Sequence, residues 1–205
     1  MRRTNTRQRI LNLAETHLMQ RGYHGFSFRD LARTLEVRPP AVHYHFRTKP
    51  ELVVVAVHRY GQRFDGWVDG VADRTPAEQL LAYVALGQMM VGEGRTCVLG
   101  MLQAESSTLP SAVCSAVSSV YRRFLAFYTD RLRRARNDGD AVFGFEPTIA
   151  AELLGCTLVG AQQLARTRGP SAYRRVMMAQ TRQLGLTAAW PDLPTPPPLA
   201  EDRLN

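Results

Sequence analysis

The sequence predicts an all-α protein, with a three-helix helix-turn-helix segment at the N-terminus and a larger helical remainder. Three observations predict it. No alternation of apolar and polar residues lasts long enough to make a strand, whereas apolar residues return at helical spacing along the chain. Prolines, glycines and capping pairs fall where helices start and stop. The excess positive charge is gathered in the first quarter.

Each element has its own signal. Ile10, Leu13, Ala14 and Leu18 share one face of a first helix over roughly 4–21, and Gly22 ends it. Ser27 stands three residues before Asp30, a capping box opening a short second helix whose apolar face is Phe28, Leu31, Ala32 and Leu35. Val37 and Arg38 make a turn. Pro39 and Pro40 then occupy a first helical turn, where backbone N–H groups lack intrahelical partners, so a third helix runs over roughly 39–45. A long helix follows over about 49–70. The next begins at Thr75-Pro76 and carries Leu80, Leu81, Val84, Ala85 and Met89 as far as Gly92. After Cys97–Ser107, Leu109-Pro110 opens a long helix to about Arg136, and residues 137–140 (NDGD) read as a turn. Pro147 begins a helix to about Arg166, and Gly169-Pro170 a last one to about Leu186. The domain boundaries expected are 1–48, 49–188, and a proline-rich mobile tail at 189–205.

At 205 residues and 45% apolar, the chain can bury a sizeable core. Its longest apolar runs fall far short of the ~20 residues that span a bilayer, and no secretory signal is visible, so the expected location is the cytoplasm with no membrane partner. Three widely spaced cysteines, Cys97, Cys114 and Cys156, give neither a disulfide framework nor a structural zinc site. No cofactor or metal is expected. A glycine-rich phosphate loop, a nucleophile elbow and an HExxH pair are all absent from the sequence, so nothing in it reads as an enzyme.

The net charge is +8, and residues 1–49 account for +7 of it, with ten Arg or Lys against three Asp or Glu. Arginine supplies 25 of the 26 cations, Lys49 being the one lysine. A bias toward arginine would act on the whole chain and does not explain the asymmetry. A basic segment joined to a nearly neutral remainder is the electrostatic footprint of nucleic-acid binding.

The stretch VRPPAVHYHFRTK, residues 37–49, carries the candidate contacts. Recognition helices present donors and small apolar groups to the major groove near their N-termini, while flanking residues hold phosphates. Arg38 can reach guanine. Pro39, Pro40 and Ala41 suit thymine methyls, and His43 suits a base edge or a phosphate. Tyr44, His45 and Lys49 lie where phosphates would be, and Arg29 is a further base or phosphate contact. Val42 and Phe46 should be core. His43 and His45, two apart, would leave a helix on different faces and do not form a metal pair.

Residues Thr6 to Val53 (TRQRILNLAETHLMQRGYHGFSFRDLARTLEVRPPAVHYHFRTKPELV) resemble the N-terminal domain of the tetracycline-repressor (TetR/AcrR) family. The shared pattern is RGY, S-x-R-D-L-A, L-x-V, a tyrosine-histidine-aromatic run and T-K-x-x-L. The chain departs from it at Arg38–His43, where the family often has Ser-Lys-Gly-Thr-Leu-Tyr, so no operator sequence carries over. The resemblance implies a repressor that binds a double-stranded DNA operator as a homodimer, with a C-terminal helical cage for a small-molecule effector. It places dimerisation in the last two helices, about 147–186.

On that reading the remainder divides into a pocket and an interface. In the penultimate helix Ile149, Leu153, Thr157, Gly160 and Leu164 make one face, and Leu154, Leu158, Ala161 and Ala165 another; a second apolar face with small residues suits an intermolecular four-helix bundle. The segment CVLGMLQAE (97–105) is similar to one in an acrylate- and electrophile-responsive subgroup, which would aim Cys97, Met101 and Glu105 at the effector. Phe64, Trp67, Tyr121, Phe124 and Tyr128 could close the cavity, with Gln162 or Arg122 fixing the ligand's orientation. Cys97 is either a reactive thiol that senses electrophiles or a buried inert cysteine.

Overall fold

The computed structural model describes residues 2–186, with side chains from Thr6 onward. Its elements are α1 (Arg2–Arg21), α2 (Phe28–Thr34), α3 (Pro39–His45), α4 (Lys49–Gly70), α5 (Pro76–Gly92), α6 (Val98–Ala104), a 3-10 turn at Ser106–Thr108, α7 (Ser111–Asp138), α8 (Pro147–Arg168) and α9 (Pro170–Gln183). Among the described residues there is no strand, and no helix is long and apolar enough to cross a membrane. The fold is all-α, and the tail at 189–205 lies outside the described residues.

Helix starts follow local chemistry. Ser27 and Asp30 cap α2 reciprocally, and Thr75 and Glu78 do the same for α5. Proline opens α3, α5, α8 and α9 at a position where its missing N–H costs nothing. Two ends differ from the sequence expectation. Helix α7 runs through Asn137 to Asp138 and stops only before Gly139, at φ 84°. Helix α9 ends at Gln183, ahead of Gly185 at φ 65°, whose close approach to the Val142 backbone leaves no room for a Cβ.

The chain forms two compact units. One holds the described residues up to Gln62 together with Cys97–Tyr121; the other holds Arg63–Thr96 together with the described residues from Arg122 on. Helices α4 and α7 each contribute to both. In the first unit the core gathers Ile10, Leu18, Leu31, Val42, Phe46, Leu52 and Tyr60, all essentially without exposure. Arg59 of α4 reaches the buried Glu15 of α1 at 3.5 Å. Helix α6 belongs to this unit and packs on α1.

In the second unit α5, α8 and α9 pack together, and α8 buries Leu154, Leu158, Ala161 and Ala165. Burying a leucine of this kind is favourable by about 1.5–3 kcal/mol, which makes this face the anchor of α8. The cations ending α7 do not all face solvent, as a helix C-terminus would suggest. Arg131 Nε donates to Gln79 Oε1 at 2.5 Å and its guanidinium lies over the Phe127 ring, while Arg136 donates to the Phe145 carbonyl at 3.1 Å. Arg133 and Arg134 are exposed and pair with Asp130.

Candidate nucleic-acid interface and effector-binding residues

Helices α2 and α3 are joined by a turn that holds its own backbone. Val37 N–H donates to the Ala32 carbonyl at 3.0 Å and Glu36 takes φ 54°, a left-handed conformation accepted here by a non-glycine residue. Ser27 donates to the Asp30 carboxylate from its N–H at 2.9 Å and from its hydroxyl at 2.7 Å, and these bonds hold the carboxyl below its ordinary value, with Arg33 adding to the effect.

Helix α3 is amphipathic on a small scale. Val42 and the following Phe46 are buried, the latter under the Arg7 guanidinium at 5.1 Å. Arg38, Pro39, Pro40, His43 and Tyr44 are exposed, Tyr44 by 67%, and Ala41 and His45 are half-buried. Arg38 stands at the N-cap in an extended conformation and Arg29 is exposed near the start of α2. The His43 ring meets Phe28 edge-on at 4.9 Å, so one face of that imidazole is fixed. Arg29, Arg38, Pro39, Pro40, His43 and Tyr44 are thus all exposed on the basic helix-turn-helix segment.

Lys49 is placed differently. Its ammonium donates to the Phe26 carbonyl at 2.5 Å and lies over the Tyr23 and Phe26 rings at 4.5 and 4.4 Å. Burial pulls its pKa below the ordinary lysine value, and the carboxylates of Glu105 and Asp30 oppose that pull. The cation therefore ties α4 to the end of the α1–α2 loop.

The effector residues expected from sequence fall into two groups. Phe64, Trp67, Phe124 and Tyr128 come together in the second unit, all nearly without exposure. Phe64 stacks on Phe124 with centroids 3.7 Å apart and on Trp67 at 6.2 Å. Two aromatics that sequence reading passed over complete the cluster. Tyr83 meets Trp67 edge-on at 5.2 Å, and Phe127 meets Phe64 at 5.4 Å. Phe127 was legible, since Phe124, Phe127 and Tyr128 follow the i, i+3, i+4 rule. Tyr83 lay off the Leu80–Leu81–Val84 face and gave no such signal. The Trp67 indole nitrogen is buried without a hydrogen-bond partner. Gln162 is buried beside Gly87 of α5, and Arg122 is exposed.

Cys97, Met101, Glu105 and Tyr121 belong to the first unit. Cys97 caps the N-terminus of α6 and its sulfur accepts a hydrogen bond from the Tyr60 hydroxyl at 3.5 Å. Met101 and Tyr121 are half-buried. Glu105 follows the last residue of α6, and its Oε2 accepts the Tyr23 N–H at 2.6 Å. Cys97, Cys114 and Cys156 are free thiols, and Cys156 is exposed.

A short helix headed by Arg38, started by two prolines and packed on a capped partner has the form of a helix-turn-helix DNA-binding segment. Residues 10–56 match the model for bacterial regulatory proteins of the tetR family. That match covers the helix-turn-helix segment, from Ile10 in α1 through α3 to Ala56 in α4. The chain is 27% identical to the HTH-type transcriptional repressor NemR of Escherichia coli K12 over 169 residues, 79% of this chain and 84% of that one. A TetR-family regulator from Agrobacterium tumefaciens superposes with a TM-score of 0.84 at 26% identity, covering 89% of this chain and 98% of that one. The reduced form of E. coli NemR superposes with a TM-score of 0.77 at 22% identity, covering 90% and 100%.

Proposed function

We propose that the protein is an effector-released transcriptional repressor acting in the cytoplasm, which reads a palindromic operator as a homodimer with one α3 in each half-site. One observation carries the reading. The α3 residues turned to solvent are the arginine, prolines, histidine and tyrosine that major-groove recognition uses, while Val42 anchors the helix from behind. Arg38 and Arg29 serve as base or phosphate contacts, and His43 and Tyr44 as flanking ones. Lys49 contributes by holding the start of α4.

Support for the dimer comes from α8. Among the described residues, five of the six large exposed hydrophobics, Val142, Phe145, Ile149, Leu153 and Leu164, fall within 23 consecutive residues, counting from 142 to 164. Ile149, Leu153, Gly160 and Leu164 make one solvent-facing stripe opposite the buried face. Exposed apolar stripes of this kind mark interaction sites, and a two-fold operator requires a two-fold protein.

The effector is an apolar or unsaturated small molecule held among Phe64, Trp67, Tyr83, Phe124, Phe127 and Tyr128, with the Trp67 N–H as the donor for its polar end. Its binding favours a conformation with the two α3 helices misplaced for DNA. A second reading is favoured by the Tyr60–Cys97 bond. That contact places a hydroxyl against the Cys97 sulfur, and on this reading the sulfur is the site at which an electrophile acts.

Fluorescence anisotropy tests both. The probe is the duplex DNA flanking the reading frame, titrated across a salt series with and without small unsaturated acids and thiol-reactive electrophiles. Tight, salt-sensitive binding to one short palindrome, lost with one compound, is the expected result. Sequence-blind binding alone would overturn the operator reading, and release of a Cys97→Ser protein by the same electrophile would exclude the thiol.

A further inference from the structure

Glu105 is an acidic side chain inside the unit that binds a polyanion, and its surroundings explain why it is there. Helix α1 ends at Arg21, and Gly22 turns the chain with φ 74°. The Glu105 carboxylate lies flat against that turn: a Cβ added to Gly22 would come within 2.6 Å of Oε1. Its Oε2 accepts the N–H of Tyr23 at 2.6 Å. One residue further, His24 bonds to Thr108. The Thr108 hydroxyl donates to the Glu105 carbonyl at 2.9 Å, so its oxygen receives the His24 Nε2–H at 3.0 Å. Two residues further still, the Phe26 carbonyl takes the Lys49 ammonium, which the Glu105 charge attracts. The residues just after α6 thereby grip the α1–α2 loop at consecutive positions, and Lys49 grips it from α4. That loop sets the direction in which α2, and with it the recognition helix α3, leaves α1.

We propose that Glu105 is a positioning residue for DNA binding: its carboxylate locks the α1–α2 turn and the Lys49 ammonium into the arrangement in which α3 is presented to DNA. Displacing the end of α6 releases three links at once. The proposal rests on the reading of the protein as a DNA-binding regulator and needs neither the effector nor the dimer.

The sign of one mutation separates this from a bystander carboxylate. Removing a negative charge from a DNA-binding surface ordinarily strengthens binding, because repulsion of phosphates is relieved. Here Glu105→Ala should weaken it, by about tenfold or more at fixed salt. The slope of log K against log salt should not change, since no phosphate contact is lost. Glu105→Gln, which keeps an acceptor oxygen for the Tyr23 N–H, should recover most of the loss, and Glu105→Asp, which keeps the charge but withdraws the oxygen, should not. The full-length variants are titrated against the duplex flanking the reading frame beside the wild type, and amide exchange across residues 22–26 is followed without DNA. Faster exchange there in Glu105→Ala and Glu105→Asp but not in Glu105→Gln is the expected companion result. Unchanged or tighter DNA binding by Glu105→Ala would overturn the proposal, as would equal weakening in Ala and Gln variants with unchanged exchange. If Glu105→Ala does not fold, the Gln and Asp proteins decide by the same comparison. A wild type that does not discriminate this duplex from a scrambled one counts against the regulator reading, and the exchange measurement still judges the Glu105 lock.

Discussion

Tyr173 of α9 donates its hydroxyl proton to the Val84 carbonyl of α5 at 2.8 Å, and its ring has no solvent exposure. The ring fits because Gly87, one turn further along α5, has no side chain: a Cβ there would overlap the hydroxyl and come within 2.8 Å of Cζ. Gly87→Ala should therefore destabilise the protein by about 1–3 kcal/mol even though alanine is the better helix former. At this chain length each kcal/mol lowers Tm by about 2–4 °C. Tyr173→Phe keeps the packing and loses only the hydrogen bond, about 1 kcal/mol. Thermal unfolding of both variants checks the order.

His17 gives the protein a sensitivity to acid. It is 8% exposed, stacks on Phe26 at 5.4 Å, and neither ring nitrogen has a partner. Burial foremost, then the Arg21 charge, lower its pKa below the ordinary 6.5, against a smaller opposing pull from Asp30. The unfolded chain therefore takes up this proton before the folded one does. The stability tied to neutral His17 is complete above pH 6.5 and declines as pH falls from 6.5 toward the lowered folded value. Urea midpoints at pH 7.5 and pH 5 should differ more for the wild type than for His17→Phe, which has no proton to bind.

Arg38→Ala and Lys49→Gln should separate a DNA contact from a structural cation. Arg38 is free to solvent at the head of α3, and its loss should cost about 1–3 kcal/mol of operator binding and relax preference at one base pair. Lys49 donates to Phe26 and lies over two rings, so Lys49→Gln should lower Tm while leaving the salt slope of DNA binding at the wild-type value. A slope smaller by about one would instead make Lys49 a phosphate contact.

The α8 stripe predicts a dimer that one charge can break. Leu153 is 43% exposed on the face opposite the buried leucines. Leu153→Glu should leave the helical content unchanged and the stability of the protomer within about 0.5 kcal/mol of wild type, as exposed substitutions do. Sedimentation velocity should show a monomer, and operator affinity should fall with it. An unchanged sedimentation coefficient would place the interface elsewhere.

Trp67 can report the effector directly. With Trp190 replaced by phenylalanine, the emission of Trp67 should respond to the compound that releases DNA, because its indole stands within 6.2 Å of Phe64 and 5.2 Å of Tyr83. Trp67→Phe should keep DNA affinity and weaken the response to effector by about tenfold, the worth of one donor and its packing. Equal loss of both, at unchanged Tm, would remove Trp67 from the sensing route.

Much of this protein could be read from local signals. Helix α3 begins and ends where its prolines and its buried Val42 and Phe46 require, and the two faces of α8 separate as their spacing indicates. These features depend on neighbours within four residues, and backbone geometry over that range is nearly independent of the rest of the chain. The same holds for the concentration of charge in residues 1–49, which is a property of composition. The Thr75–Glu78 capping box was legible in the same way and lent α5 a firmer start than its proline alone.

Direction was another matter. The subgroup resemblance aimed Cys97, Met101 and Glu105 together at the effector, but α6 spans only Val98–Ala104, so the outer two are its caps and have other partners: Cys97 has Tyr60, and Glu105 has Tyr23, 82 residues away in sequence. Lys49 looked like an exposed cation and turned inward because Phe26 offered a carbonyl and a ring together. Arg131 and Arg136 left solvent for Gln79 and Phe145 for the same reason. A long flexible side chain has several staggered conformations of similar energy, and its choice among them is made by whichever partner the packed chain brings within 3 Å or so. The sequence by itself determined which helices form and which faces they bury; only the tertiary structure decided where the charged ends of its side chains point.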